Sequence, residues 1–399
     1  MREVMYYICM LKKTLVILFI LILCPSLFLF ASSSSEPGVL TRLFLEGPSS
    51  VSYTRQFQAA VPLPVMQQVL LQIKEQLGAF VAVEGTANPY SVIFEHGRAT
   101  TYLSLDGRGN IASLQFTQLI PARKTLTEAV NSIVEMEAAV SVLIRKNGEV
   151  LISYQENTPL AVGSAFKLGI LAAIEDAIDT KEMHWGQIAA LEDSWKSLPS
   201  GILQTWPAGS LISIETLATL MISLSDNTAT DALLSLVGRE RVDQYLAHSV
   251  PTLSTSELFR LKDPNNKDLL LRFRAASLDD KAILLKDLQE RSLPEPGIFL
   301  GDPLSIDIEW YMTAVELADL IERLQIHDLM TINPGLATKE HWHRVAYKGG
   351  SEPGVLNLTT FLLDKEQNRF TVVVTVNNAE KALDEQRIME IYQTILSSL

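Results

Sequence analysis

The chain has 399 residues, 47% of them hydrophobic, which is more than one compact domain needs and ample for a buried core. Its formal net charge of −13 excludes a nucleic-acid partner, because phosphate binding wants basic stripes. Its two cysteines, Cys9 and Cys24, both precede Ala31, so the remaining chain has neither a disulfide framework nor a cysteine nucleophile.

Lys12 and Lys13 precede an apolar run over residues 15–24, then Pro25, a second apolar run over 27–31 and four serines. A basic flank, an apolar stretch and small residues describe a secretory signal over 1–31, cut near Ala31 or Ser33. The competing reading is an uncleaved membrane anchor over 14–31, slightly short for a span. Either places the protein outside the cytoplasm, secreted, periplasmic or tethered to a membrane. Residues 32–37 read as a polar tether.

Residues 38–122 form a small α+β domain in this reading. Val65, Met66, Val69, Leu70, Ile73 and Leu77 recur at helical spacing. Strand-like runs follow over 80–84, 91–95, 100–105 and 111–119, separated by Asn88-Pro89, His96-Gly97 and Asp106-Gly107-Arg108-Gly109. No acid–base pair stands out there, so a structural or docking role is expected. The run from Pro121 to Lys124 looks like a junction to a second domain over 123–399.

Thr125-x-x-Glu128 is a capping box for a helix to about Glu137. Strands over 140–145 and 149–154 flank Asn147-Gly148, a hairpin signal. Ser164 follows in a loop, residues 166–178 read as a buried helix, and a helical region runs to about His248. Thr313-x-x-Glu316 opens another helix. Strands over 344–348, 357–363 and 370–377 precede a final helix over about 380–396. The architecture expected is an antiparallel sheet packed by terminal helices, with a helical block inserted between strands: an α+β or α/β fold.

Three short stretches carry chemistry: Ser164-x-x-Lys167, Ser225-Asp226-Asn227 and Lys348-Gly349-Gly350-Ser351. A serine hydroxyl needs a neighbour to take its proton, and a neutral lysine one helical turn away can do so. An ordinary lysine has a pKa of about 10.4, which burial and a second positive charge lower. Lys348 is the candidate for that second charge, and Lys167 sits in the apolar run AFKLGILAAI. Each motif alone also fits a helix cap, a helix start or an edge turn. Their order and combination point to a serine acyl-transfer site.

These are the three motifs of class A β-lactamases and penicillin-binding proteins, and residues 125–399 resemble that superfamily. SDNTATDALL and KGGSEPGVLN extend the likeness around the motifs. The resemblance implies that Ser164 is the acylated nucleophile and Lys167 its base. It implies that Ser225 protonates the leaving group, Asn227 positions substrate and Lys348 holds a substrate carboxylate. Gly349, Gly350 and Ser351 would complete the binding strand, with the N–H groups of Ser164 and Ser351 as oxyanion donors. The overall layout, with PSGILQTWP ahead of SDNTATD, is similar to a two-domain group. That group includes mycobacterial lipoproteins and a clavulanic acid biosynthesis protein, whose N-terminal domain resembles a nuclear-transport-factor cone.

Two departures matter. The middle residue of the lysine-glycine motif is Gly349, so a side-chain hydroxyl is missing there, and Ser351 is expected to replace it in part. Where class A enzymes carry a glutamate followed by Leu-Asn, this chain has Leu261 within TSELFRLKDPNN, and nearby Glu257 reads as an exposed loop acid. Leu203 and Trp206 read as pocket or core residues. His341 and His343 are a pair without the further ligands zinc requires, and no phosphate loop or dinucleotide fingerprint occurs, so no cofactor is expected. The function expected is an exported, monomeric serine hydrolase acting on a small-molecule β-lactam, ester or related amide, with weak β-lactamase turnover. The alternatives are a non-hydrolytic penicillin-binding or sensing module and a DD-peptidase.

Overall fold

The computed structural model describes residues 35–121 and 125–399. The leader over 1–31 and most of the junction lie outside the described residues. Two compact units divide at Arg123 and Lys124.

The first unit opens with α1 (Glu36–Glu46), α2 (Arg55–Ala60) and α3 (Leu63–Leu77). Glu36 and Pro37, read as the end of a tether, instead start α1, because Val39, Leu40 and Leu43 behind them are fully buried. An antiparallel meander follows: β1 (Phe80–Glu84), β2 (Tyr90–Phe94), β3 (Gly97–Leu105) and β4 (Ile111–Pro121). Phe44 packs edge-on against Phe94 and Phe116, closing the apolar face of this sheet.

The second unit begins with α4 (Leu126–Val134), β5 (Ala139–Lys146), β6 (Glu149–Tyr154) and β7 (Leu160–Ala161). Both halves of the Thr125–Glu128 capping box are formed. A 3-10 turn over Gly163–Phe166 leads into α5 (Lys167–Asp179). Next come β8 (Ile188–Ala190), β9 (Leu211–Ser213), α6 (Ile214–Ser223), α7 (Asn227–Val237) and α8 (Arg239–Asp243). The helical region expected up to His248 is therefore broken by a small two-stranded sheet, at the glycines and prolines of residues 186–209. Then α9 (Thr255–Lys262), α10 (Lys267–Ala275), α11 (Leu278–Gln289), β10 (Tyr311–Met312) and α12 (Ala314–Leu324) complete the helical block. The chain ends with β11 (Arg344–Glu352), β12 (Val355–Leu363), β13 (Arg369–Asn377) and α13 (Glu385–Ser397). The last helix starts five residues later than expected because the Asn378 side chain accepts from the N–H groups of Glu380 and Lys381, and Asp384 caps the helix instead.

The main sheet has the order β11-β12-β13-β5-β6, all antiparallel. Alternation gives it two apolar faces. Val142, Ile144, Val345, Val372 and Val374 pack with α4 and α13, while Leu143, Ala346, Phe361 and Val373 pack with the helical block. The antiparallel sheet, terminal helices and inserted helical block are as read from the sequence, and the structure puts the terminal helices on one face and the block on the other. Strand β11 forms one edge of the sheet, and Ala346, Lys348 and Gly350 alternate toward the helical block.

Candidate active site

Ser164 sits on the 3-10 turn between β7 and α5. The turn is held from both sides. The Ala161 backbone exchanges hydrogen bonds with the Asn377 side chain at 2.8 and 2.9 Å, and the Val162 N–H donates to Trp310 O at 2.9 Å. The Phe166 ring stacks on Trp310, centroids 3.8 Å apart. Gly163 adopts φ +47, a conformation side chains resist. Across the gap, a Cβ added to Gly350 would fall 2.2 Å from Val162 O and 2.3 Å from Ser164 N. The position of a Gly163 Cβ lies 3.3 Å from Ser351 N. Two glycines thus let β11 press directly on the serine turn, leaving the Ser164 and Ser351 amides on either side of the contact.

Lys167 is fully buried at the first position of α5. Its Nζ donates to Ser225 O at 2.7 Å, Asn227 Oδ1 at 2.7 Å and Ser225 Oγ at 3.1 Å. Burial pushes its pKa well below the ordinary lysine value, and the charge of Lys348 pushes the same way. Lys348 reaches the same hydroxyl from β11, with Nζ 3.1 Å from Ser225 Oγ and 2.5 Å from Gly349 O. Its own burial lowers its pKa to about 7. Ser225 therefore lies between two amines. Among the described residues no hydrogen bond joins Ser164 Oγ to Lys167 Nζ; the amine is turned to the Ser225–Asn227 side.

Ser225 has φ +55, a left-handed conformation uncommon for serine. Asp226 holds the segment in that shape. Its carboxylate accepts from the N–H groups of Ile202, Leu203 and Ala229 at 2.6, 2.9 and 2.8 Å. Gly201 makes room, since a Cβ there would lie 2.2 Å from the Asp226 carboxyl. Asn227 gives its Oδ1 to Lys167 and donates through Nδ2 to Leu198 O at 3.1 Å. Of the five residues named from the motifs, Lys167, Ser225, Asn227 and Lys348 are linked by hydrogen bonds, and Ser164 is brought beside β11 by the backbone of its turn.

Other expectations are corrected. The Ser351 hydroxyl does not replace the missing side chain at 349; it donates to Glu385 Oε1 at 2.6 Å at the start of α13. Glu257 is not an exposed loop acid. It lies in the first turn of α9, 3% exposed, closes a capping box with Ser254 and accepts from Arg239 through both oxygens at 2.8 and 2.9 Å. Ser254-x-x-Glu257 was readable as a capping box; the charge partner was not. Leu203 belongs to the core, whereas Trp206 is partly exposed.

Sequence reasoning missed a second ionic cluster. Lys262 of α9 bonds Glu309 and Glu352, the latter at 2.6 Å. Glu309 is fully buried, and burial with the adjacent Glu352 raises its pKa to about 8. It also missed Tyr347, whose hydroxyl lies 2.2 Å from where a Gly349 Cβ would be. Strand alternation puts residues 347 and 349 on one face, which was the available signal.

Residues 121–297 match the model of the β-lactamase enzyme family. No curated protein matches the chain. Among solved structures the chain is similar to a β-lactamase from Sphaerobacter thermophilus, at 20% identity and TM-score 0.49, covering 68% of this chain and 94% of that one. It is also similar to PBP-A, at 14% identity and TM-score 0.46, covering 68% and 94%. A representative class A β-lactamase from Bacteroides cellulosilyticus matches at 17% identity and TM-score 0.48, covering 69% and 98%. Residues 121–297, nearly all of them in the C-terminal unit, are similar to the β-lactamase enzyme family.

Proposed function

We propose that the protein is an exported serine hydrolase that forms an acyl-enzyme on Ser164. The observation that carries this reading is the buried Lys167, hydrogen-bonded to Ser225 and Asn227 and lowered in pKa beside Lys348. A neutral amine donates two hydrogens and keeps a lone pair. Lys167 can donate to Ser225 O and Asn227 Oδ1 and still accept a proton from Ser164. The Ser164 oxygen then attacks the carbonyl carbon, and the negative charge on the carbonyl oxygen falls to the Ser164 and Ser351 amides. Ser225, held between Lys167 and Lys348, passes a proton to the departing nitrogen or oxygen. Lys167, now carrying the Ser164 proton, returns it to the Ser225 oxygen through their hydrogen bond and is neutral again, while Lys348 keeps its charge beside the same hydroxyl.

The substrate is a β-lactam, a small ester or a related amide; β-lactams fit the family. Deacylation of a β-lactam is slow, because Glu257, the acid nearest in sequence to the usual base position, is committed to Arg239 and the cap of α9. Lost general-base help is typically worth ~10²–10⁴-fold. Intact-mass spectrometry after exposure to penicillins, cephalosporins and simple esters tests this. The expected result is a persistent penicilloyl adduct that Ser164→Ala abolishes. Labelling that survives the substitution rejects the mechanism.

The occupied Glu257 also favours a second reading, a penicillin-binding or sensing module with a stable acyl-enzyme. Multiple turnovers of a chromogenic ester or cephalosporin, lost in Lys167→Ala, decide against it. Export rests on the leader sequence over 1–31 and is tested by fractionating cells that express the full chain.

A further inference from the structure

Three charged side chains outside the motifs meet from three segments. Lys262, at the end of α9, bonds the carboxylates of Glu309 and Glu352, the latter at 2.6 Å. Each acid is next in the chain to a residue that shapes the surroundings of Ser164. Glu309 precedes Trp310, whose carbonyl accepts from the Val162 N–H at 2.9 Å and whose ring stacks on Phe166. Those contacts grip the serine turn two residues before Ser164 and two after it. Glu352 follows Ser351, the second oxyanion amide, at the end of β11. Alternation puts it on the strand face of Lys348 and Gly350, the face that meets the serine turn.

Stability alone does not account for this cluster. Lys262 and Glu309 are buried and the Glu352 side chain is largely so, with two acids crowding one amine. Burial and the adjacent Glu352 push the Glu309 carboxyl up to about 8. Replacing such a buried ionic group by apolar side chains of similar volume is often neutral or stabilising. Its geometry has a clearer consequence. One ammonium joins the segment that grips the Ser164 turn to the strand that carries the Ser351 amide, so the two oxyanion donors are tied to a common point.

We infer that Lys262 is a positioning residue for acyl transfer: through Glu309 and Glu352 it braces the Trp310 segment against the end of β11 and so sets the spacing of the Ser164 and Ser351 amides. The inference rests on the acyl-transfer reading above and acts on its transition state, where the carbonyl oxygen gains charge.

The test uses two variants. Lys262→Met/Glu309→Leu/Glu352→Leu replaces the whole cluster by apolar side chains. Glu352→Leu severs the β11 arm alone and leaves Lys262 and Glu309 as a balanced pair. Melting temperature is read beside Ser164 acylation by benzylpenicillin and by p-nitrophenyl acetate. The triple variant melts at or above the wild-type temperature. Its limiting acylation rate falls about tenfold or more with both probes, toward the ~10²–10³ of a lost oxyanion donor. Half-saturation stays at the wild-type value, because the lost contact is made only in the transition state. Glu352→Leu loses rate in the same way. Wild-type acylation rates in Glu352→Leu overturn this inference alone. So does a loss that appears in half-saturation, or one that follows melting temperature across the two variants, because these report a structural role. A wild type acylated by neither probe overturns the acyl-transfer reading and this one together.

Discussion

Lys167 Nζ lies 2.7 Å from Asn227 Oδ1, a contact between the first residue of α5 and the first of α7 that fixes where the buried amine points. The amide oxygen can only accept from lysine, so the lone pair of the neutral amine is left for a hydroxyl. This directs the chemistry at the junction of the two helices, and it sets the first prediction.

Lys167→Met should keep the fold and lose the reaction. Methionine fills a similar volume without a charge, and burying an amine is itself unfavourable. Thermal stability is expected at or above the wild-type value. The rate of Ser164 acylation should fall ~10²–10⁴-fold. Differential scanning calorimetry and intact-mass time courses read the two effects separately.

The pH dependence has a definite sign. Lys348 must be protonated to hold a carboxylate, and its pKa is lowered to about 7 by burial. Acylation by a carboxylate-bearing donor should therefore decline as pH rises through about 7, whereas a neutral ester should not show that decline. Both rates fall as pH drops through the lowered pKa of Lys167 and that amine becomes protonated. Stability follows the opposite course for the same lysine. Its pKa is about 7 folded and 10.5 unfolded, so between those values the unfolded chain binds more protons and stability rises with pH. Lys348→Met should flatten that rise in a series of melts from pH 7 to 10.5; an unchanged slope contradicts the assignment.

Gly350→Ala tests the contact of β11 with the serine turn. The added methyl would sit 2.2 Å from Val162 O and 2.3 Å from Ser164 N, both rigid backbone atoms. Such overpacking typically costs ~1–3 kcal/mol. Displacing one oxyanion donor costs ~10²–10³ in rate. Measured activity near wild type would show that the two amides do not act together.

Glu257 offers a prediction that separates architecture from chemistry. Its carboxylate is tied to Arg239 and to the Ser254 N–H at 2.8 Å. Glu257→Gln should lower the melting temperature, since breaking a buried pair costs ~3 kcal/mol or more. The lifetime of the penicilloyl adduct should not change. A lengthened lifetime would make Glu257 the base that activates water.

Much of the fold was legible because local chemistry repeats at short range. The boxes Thr125–Glu128 and Thr313–Glu316 announced their helices, and both form. Strands form over Phe80–Glu84 and Glu149–Tyr154, the bounds read from the sequence. Helix α1 was hidden because its polar start looked like a linker, and only burial of Leu40 and Leu43 reveals it. The insertion carrying α9, α10 and α11 offers one local signal, the Ser254–Glu257 capping box, and takes the rest of its shape from packing.

The sequence by itself determined which residues are candidates for the chemistry: a serine and a lysine one turn apart, a second serine two before an asparagine, and a lysine before two glycines. Spacing along one chain encodes that much, because each motif is a single local turn. Only the tertiary structure decided what those groups touch. It set Ser225 between two amines, drew Glu257 into an ion pair with Arg239, sent Ser351 to Glu385 and brought the Tyr347 hydroxyl to the vacancy at Gly349. The physical reason is that charge pairing, burial and hydroxyl direction depend on atoms distant in sequence, which meet only once sheet and helices have packed.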